Sequence, residues 1–332
     1  MTKPALRPDV LALLAYLHEA KFPDVPTQTP GQVRASMLAA VPLTDLDMPD
    51  MAVRRRLSIP RTDGDGNIPA LLLDSKVDRE PGPVVIWFHG GGYVSGSIET
   101  HQSFAATVSR QLDLPVVLVD YRLAPEAPYP AAVQDAEACA RWIAASPDAL
   151  GLKVSSLILG GDSAGGTLTA VTAIALRDAQ AAVPVRCQIL FYPATDLTRK
   201  FASHGEFAEG YLLTRAGRHW YQERYRPRKE EIQASPLRAN LAGLPPAVVL
   251  IAEVDPVRDE GRAYAAKLIE AGVPTTFLEA KGMIHAFVLL RKALPSVNDD
   301  IERALVAARI MWQQPLSTEQ CFTDKLGNAG NR

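Results

Sequence analysis

From residue 83 onward the sequence repeats one rhythm, a short β-rich apolar run followed by a helical stretch. The runs are "PVVIWF" (83–88), "LPVVLVDY" (114–121), "SSLILGG" (155–161), "VRCQILFYP" (185–193), "PPAVVLIAE" (245–253) and "PTTFLEA" (274–280). Between most of them lie segments such as "TVSRQLD", "AVQDAEACARWIAA" and "EGRAYAAKLIEAG". A strand that is apolar at successive positions must be covered on both faces, and parallel strands need crossovers that helices supply. The rhythm therefore predicts an α/β fold, a mostly parallel central sheet with helices on both faces. Upstream, "AVRRRLSIPR" and "NIPALLLDSK" flank the turn cluster "TDGDG" and read as a β-hairpin, which brings the sheet to about eight strands.

Three stretches fall outside the rhythm. Residues 1–50 read as short helices, the first an amphipathic one with Val10, Leu13, Leu14 and Leu17 on a single stripe. Residues 197–235 are charged and aromatic, too long for a simple crossover, and read as an insertion folding over the sheet's edge. Residues 313–332 have little periodicity and read as a loose tail. The α/β body then comprises 51–196 and 236–312.

At 332 residues the chain can bury a large core. Its net charge of −2 supplies no long-range attraction to phosphate, so nucleic acid and acidic membranes are not expected partners. No apolar run approaches the roughly 18 residues of a membrane span. Lys3 and Arg7 precede the apolar "VLALLAYL" as in a signal peptide, but "HEAKF" follows where a small-residue cleavage site would stand. The three cysteines, Cys139, Cys187 and Cys321, are far apart and odd in number, which fits a reducing compartment. Together these features point to a cytoplasmic protein.

The glycine-rich turn after the third run, "GGDSAGG" (160–166), places Ser163 between a strand and a helix. Gly161 and Gly166 have the spacing of a phosphate loop, but Thr167 occupies the position of its lysine, and a dinucleotide fingerprint is not supplied. A second reading makes Ser163 a helix cap in a packing turn. A third makes it a presented nucleophile: in G-x-S-x-G the serine takes a strained conformation and the glycines stay small where backbones pass closely. "WFHGGGYVSGS" (87–97) favours the third, because consecutive glycines expose the backbone N–H groups that a tetrahedral oxyanion needs. Gly90, Gly91 and Ala164 are the expected donors, and His89 is expected to hold the loop. The serine needs a base, and His285 in "KGMIHAF" emerges on a short loop after the strand "PTTFLEA". His204 and His219 lie in the polar insertion and are expected to be exposed. For the acid, Asp255 and Asp196 both follow strands, with Asp259 a third choice. Asp255 also reads as a helix cap before Pro256.

These residues resemble those of the bacterial hormone-sensitive-lipase-like esterases, the GDSAG-type branch of the α/β-hydrolases. The resemblance runs from about residue 83 to 287 in six ordered blocks: "HGGGY" (89–93), "DYRLAPE" (120–126), "YPAAVQDA" (129–136), "GDSAGG" (161–166), "DPVRDEG" (255–261) and "HAF" (285–287). It implies an α/β-hydrolase fold with Ser163 as nucleophile, Asp255 as acid and His285 as base, and Gly90, Gly91 and Ala164 as oxyanion donors. It also implies a helical cap built from residues 1–50 and 197–235. Three positions depart from the usual pattern: Ala286 stands for glycine, Val257 for leucine, and Gln134 for an acidic residue.

The expected activity is hydrolysis of a small-molecule carboxylic ester with a short to medium acyl chain, through an acyl-enzyme and without metal or cofactor. A lactone or acyl amide could use the same machinery. Tyr93, Phe207 and Tyr211 are the expected lining of the acyl pocket. A ligand-binding member that has lost catalysis, as in the plant gibberellin receptors, is the rival from another class; those receptors lack the base that His285 would supply. The resemblance also offers pairing through the last strand, near 274–280, as a route to a homodimer.

Overall fold

A computed structural model describes residues 4–64 and 66–314. The body is an eight-stranded sheet in the order β1-β2-β4-β3-β5-β6-β7-β8. The hairpin β1 (Val53–Pro60) and β2 (Asn67–Asp74) is antiparallel, and β2 also runs antiparallel to β4 (Val116–Val119). Every other pairing, among β3 (Gly82–Phe88), β4, β5 (Val154–Asp162), β6 (Val185–Phe191), β7 (Ala247–Val254) and β8 (Thr275–Ile284), is parallel.

Each inner strand feeds two cores. Val84, Ile86 and Phe88 pack with Leu168 of α5 (Ala164–Asp178), Ile143 of α4 (Ala131–Ala144) and Leu268 of α8 (Arg258–Glu270). Val85 and Trp87 point the other way, to Phe104 of α3 (Ile98–Leu112) and to Ile301 and Leu305 of α9 (Asn298–Gln313). Alternate side chains of one strand thus enter opposite cores, which is why the runs carry no polar face.

The remaining helices are α1 (Pro8–Glu19), α2 (Pro30–Thr44), α6 (Ser203–Glu206) and α7 (Arg215–Tyr225). Val10 of α1 is fully buried, and Leu13 and Leu14 pack against the α9 side of the sheet. A capping box of Thr29 and Gln32 starts α2, and Arg34 anchors it by donating to Val94 O (2.7 Å), Ala124 O (2.8 Å) and Glu126. Past its end, Asp45 forms a buried pair with Arg291 (2.6 and 2.8 Å), whose guanidinium also reaches Ser103 and Thr107. A buried pair contributes stability only when its remaining donors are satisfied, and here they are. The tail expected at 313–332 falls almost wholly outside the described residues, as does Cys321; Cys139 and Cys187 are buried free thiols. Among the described residues no helix is long and apolar enough to cross a membrane.

One element differs from the sequence expectation. The last strand does not stop at "PTTFLEA" but continues through "KGMI" to Ile284. Gly282 takes φ +66, and the register against β7 shifts so that Val254 pairs with Ile284. His285 is therefore the first residue beyond a paired strand rather than part of a loose loop, and its backbone is fixed by the sheet.

Candidate active site

Because β3, β5, β6, β7 and β8 are parallel, the residues just past their C-terminal ends share one edge of the sheet. That edge receives Gly90 after β3, Ser163 after β5, Asp255 after β7 and His285 after β8.

Ser163 takes φ 52, ψ −116, a conformation L-residues rarely hold. The flanking glycines explain how the turn persists. A methyl group at Gly161 would overlap Gly165 O, and one at Gly165 would overlap Phe88 O. Ser163 N–H donates to Phe191 O at 2.8 Å, which ties the turn to β6. The residue occupies the cap position of α5, yet its side chain makes no capping bond. The hydroxyl instead lies 2.9 Å from His285 Nε2. The cap reading of this serine is thereby corrected.

His285 Nδ1 lies 2.6 Å from Asp255 Oδ2. Asp255 is fully buried, and its other oxygen accepts the Val257 N–H at 2.9 Å. A carboxylate can only accept, so Nδ1 carries the proton and Nε2 presents a lone pair to the serine. Tyr192 packs on the imidazole with ring centroids 4.8 Å apart. Ala286 takes φ +63, the conformation easiest for glycine, so the departure from glycine there costs the turn roughly 1 kcal/mol. Asp255 is not a helix cap, since α8 begins only at Arg258.

The rival acids are engaged elsewhere. Asp196 accepts from Thr198 N and Oγ1 (2.8 and 2.6 Å) and from Arg199 Nε (2.8 Å). Asp259 accepts from Ser203 N (2.9 Å) and Arg258 Nε (2.8 Å).

The loop after β3 is shaped to leave its amides open. Among the described residues, the N–H groups of Gly90, Gly91 and Ala164 donate to no loop or turn carbonyl. Gly91 takes φ +118. His89 is fully buried; its Nδ1 donates to Gly90 O (2.7 Å), its ring stacks on Tyr121 (4.3 Å), and the Tyr121 hydroxyl donates to His89 O (2.7 Å). Burial, with the nearby His101 adding to it, pushes the His89 imidazole down to about 3, so it stays neutral and holds the loop as a wedge. Asp162 sits beneath Gly90, where a methyl group would collide with its carboxylate. Gly90→Ala is accordingly expected to displace the loop and lower kcat for an ester by roughly 10²–10³ with little change in KM. A kcat within threefold of the parent would show that these amides do not face the reacting oxygen.

Over this edge lies a cavity of about 410 Å³. Its wall includes Val33 and Met37 from the N-terminal segment, Leu197 and Leu213 from the insertion, and Val257 and Leu289 from the body. Tyr93 lines it and stacks on Tyr225 with centroids 3.8 Å apart. Phe207 and Tyr211 do not. Phe207 is fully buried beneath the Arg258 guanidinium (4.8 Å) and packs edge-on against Tyr211. The insertion turns after them, and the neighbouring Leu212 and Leu213 reach the cavity instead.

His204 is a further correction, because it is not free in solvent: Nε2 lies 2.8 Å from Glu260 Oε1. His219 is exposed, beside Glu223. Glu260 had little signal in the sequence. It is fully buried, and its carboxylate also accepts from Thr195 N (2.9 Å), Asp196 N (3.1 Å) and Arg218 Nη2 (2.9 Å). It thus joins the insertion to the helix that follows Asp255. Only its place in the "DPVRDEG" block hinted at a role. The other blocks also meet in space: Arg122 of "DYRLAPE" clasps Asp135 of "YPAAVQDA" (2.7 Å), while Gln134, the departure beside it, is exposed.

A family model described as the alpha/beta hydrolase fold matches residues 85–289. The chain is 38% identical over 239 residues to the esterase LipI of Mycobacterium tuberculosis, covering 70% of this chain and 74% of that one. It is 33% identical over 318 residues to the carboxylesterase NlhH of the same organism, covering 93% and 98%. A crystal structure of a thermostable esterase from Pseudomonas putida superposes with a TM-score of 0.88 at 32% identity, covering 95% of this chain and all of that one.

Proposed function

The chain belongs to the α/β-hydrolases, in the branch of the hormone-sensitive-lipase-like esterases, and we propose that it is a carboxylesterase whose nucleophile is Ser163. The observation that carries this reading is the unbroken line from Asp255 through His285 to Ser163, at 2.6 and 2.9 Å, beside backbone amides that donate to no loop or turn carbonyl among the described residues.

In this mechanism Ser163 Oγ attacks the ester carbonyl carbon as His285 Nε2 takes its proton. Asp255 holds the imidazole in the tautomer that can accept and stabilises the imidazolium that forms. The carbonyl oxygen, now negative, receives N–H donation from Gly90, Gly91 and Ala164; removing one such donor from other hydrolases costs about 2.7–4 kcal/mol. Collapse expels the alcohol, which takes the proton from His285 and leaves Ser163 acylated. Water, deprotonated by His285, repeats the attack and frees the acid. The proton lost by Ser163 departs on the alcohol, and the one taken from water passes through His285 back to Ser163, so the cycle needs no external acid or base.

The reading extends to short and medium acyl chains, supported by the size of the cavity and its walls of Met37, Leu213 and Leu289. Hydrolysis of a p-nitrophenyl series from acetate to palmitate tests it. The kcat/KM is expected to peak among the short to medium esters and fall at least tenfold by the longest. A maximum at palmitate would refute the chain-length reading, and no hydrolysis of any member would refute the esterase itself.

A further inference from the structure

The cavity wall carries a cation that the mechanism leaves unused. Arg218, on α7, lines the cavity with its side chain 16% exposed. Its Nη2 donates to Glu260 Oε1, and among the described residues Nε and Nη1 have no protein acceptor. The wall is otherwise largely apolar, with Val33, Met37, Leu213 and Leu289 on it, so a ligand that fills the cavity and displaces water from the guanidinium must itself meet those donors. Pockets of this kind use one or two fixed polar groups to select what binds.

Arg218 is also held in place. Glu260 accepts two backbone amides on Oε2 and two side-chain donors on Oε1, which fixes the carboxylate from four directions. His204 Nδ1 accepts the Phe201 N–H at 3.4 Å, which turns its Nε2–H toward Glu260. Arg218 is then the counter-charge of Glu260, and the two together are neutral. The cavity wall further includes Asp24 and Asp162, both acidic. An anionic substrate would meet the exposed Asp24 carboxylate and a cation already paired, the Asp162 carboxylate being buried beneath Gly90. An uncharged acceptor meets only the open donors.

We infer that Arg218 is a specificity-determining residue, and that the preferred esters carry a second, uncharged oxygen acceptor, a ketone, ether or further ester carbonyl, in addition to the scissile group. The inference rests on the esterase reading above and adds the substrate class. A site built to hydrogen-bond such an oxygen discriminates against the hydrocarbon of equal size, because its donors are then left unmet.

Matched esters test this: p-nitrophenyl pentanoate against 4-oxopentanoate and hexanoate against 5-oxohexanoate for the acyl side, and butyl against 2-methoxyethyl acetate for the alcohol side. In each pair the ratio of kcat/KM, oxygenated over hydrocarbon, is measured in the parent and in Arg218→Met. Dividing one ratio by the other removes the difference in intrinsic reactivity. The parent's ratio is expected to exceed the variant's by about tenfold or more in at least one pair. Because Arg218→Met leaves Glu260 buried and unpaired, the neutral double variant Arg218→Met/Glu260→Gln is measured beside it and is expected to show the same loss.

Ratios within twofold of each other in all three pairs would overturn the inference. So would a double variant that keeps the parent's ratio, or a larger Arg218-dependent gain for the mono-p-nitrophenyl ester of pentanedioate, which is an anion. Hydrolysis of the hydrocarbon esters reports separately on the catalytic reading. If the parent hydrolyses none of them, both readings fall; if it hydrolyses them with no Arg218-dependent ratio, only this one does.

Discussion

Replacing Ser163 with alanine is expected to lower kcat for p-nitrophenyl butyrate by about five to six orders of magnitude, the scale on which serine hydrolases lose activity without their nucleophile. The structure gives two reasons to expect so clean a loss. The hydroxyl makes no capping bond to α5, so its removal takes away the contact to His285 Nε2 and little else. Alanine also inherits the φ 52 backbone, which Gly161 and Gly165 accommodate by leaving room for the neighbouring carbonyls. The fold and the melting temperature should therefore be nearly those of the parent. The amides of Gly90, Gly91 and Ala164 remain, so residual hydrolysis above the uncatalysed rate is expected from them alone. Rapid mixing provides a second readout: the parent should release a burst of p-nitrophenol if deacylation is the slower step, and the variant none. A variant within tenfold of the parent would remove Ser163 from the chemistry.

The parts of this fold that were legible in the sequence are those where local pattern and tertiary role coincide. "PVVIWF" and "PPAVVLIAE" could be read as strands because both of their faces enter a core. The serine turn could be read because its glycines answer backbone clashes: Gly161 faces Gly165 O within the same turn, and Gly165 faces Phe88 O at the end of the strand that leads into "HGGGY". Side-chain direction within the insertion was not legible. Phe207 has the composition of a pocket residue, yet the chain turns so that its ring supports Arg258 while Leu212 and Leu213 reach the cavity. His204 looked like a surface histidine because its partner, Glu260, lies 56 residues away in sequence. Such buried polar junctions are fixed by which segments meet, and no short-range pattern records them.

Asp255 and Asp196 illustrate the same limit at the catalytic centre, since both follow strands of one sheet and local pattern alone does not separate them. Their surroundings do. Asp196 spends its oxygens on Thr198 and on Arg199, whose side chain is 58% exposed, closing a local turn two and three residues away. Asp255 spends one oxygen on the Val257 amide and aims the other at His285, with no exposure to solvent. Asp255→Asn is expected to lower kcat by about 10⁴. The asparagine oxygen would keep the Val257 N–H, which turns its NH₂ toward His285 Nδ1. That nitrogen must then accept, the proton moves to Nε2, and the base faces Ser163 with no lone pair to offer. Asp196→Asn should leave kcat within about twofold, because the Thr198 bonds survive and the ion pair it loses is with a guanidinium that is more than half exposed and outside the catalytic line. Circular dichroism and the melting temperature of both variants separate unfolding from a lost tautomer. If Asp196→Asn were the inactive variant and Asp255→Asn the active one, the acid would lie on the other strand and His285 would have to turn away from the carboxylate it now meets at 2.6 Å.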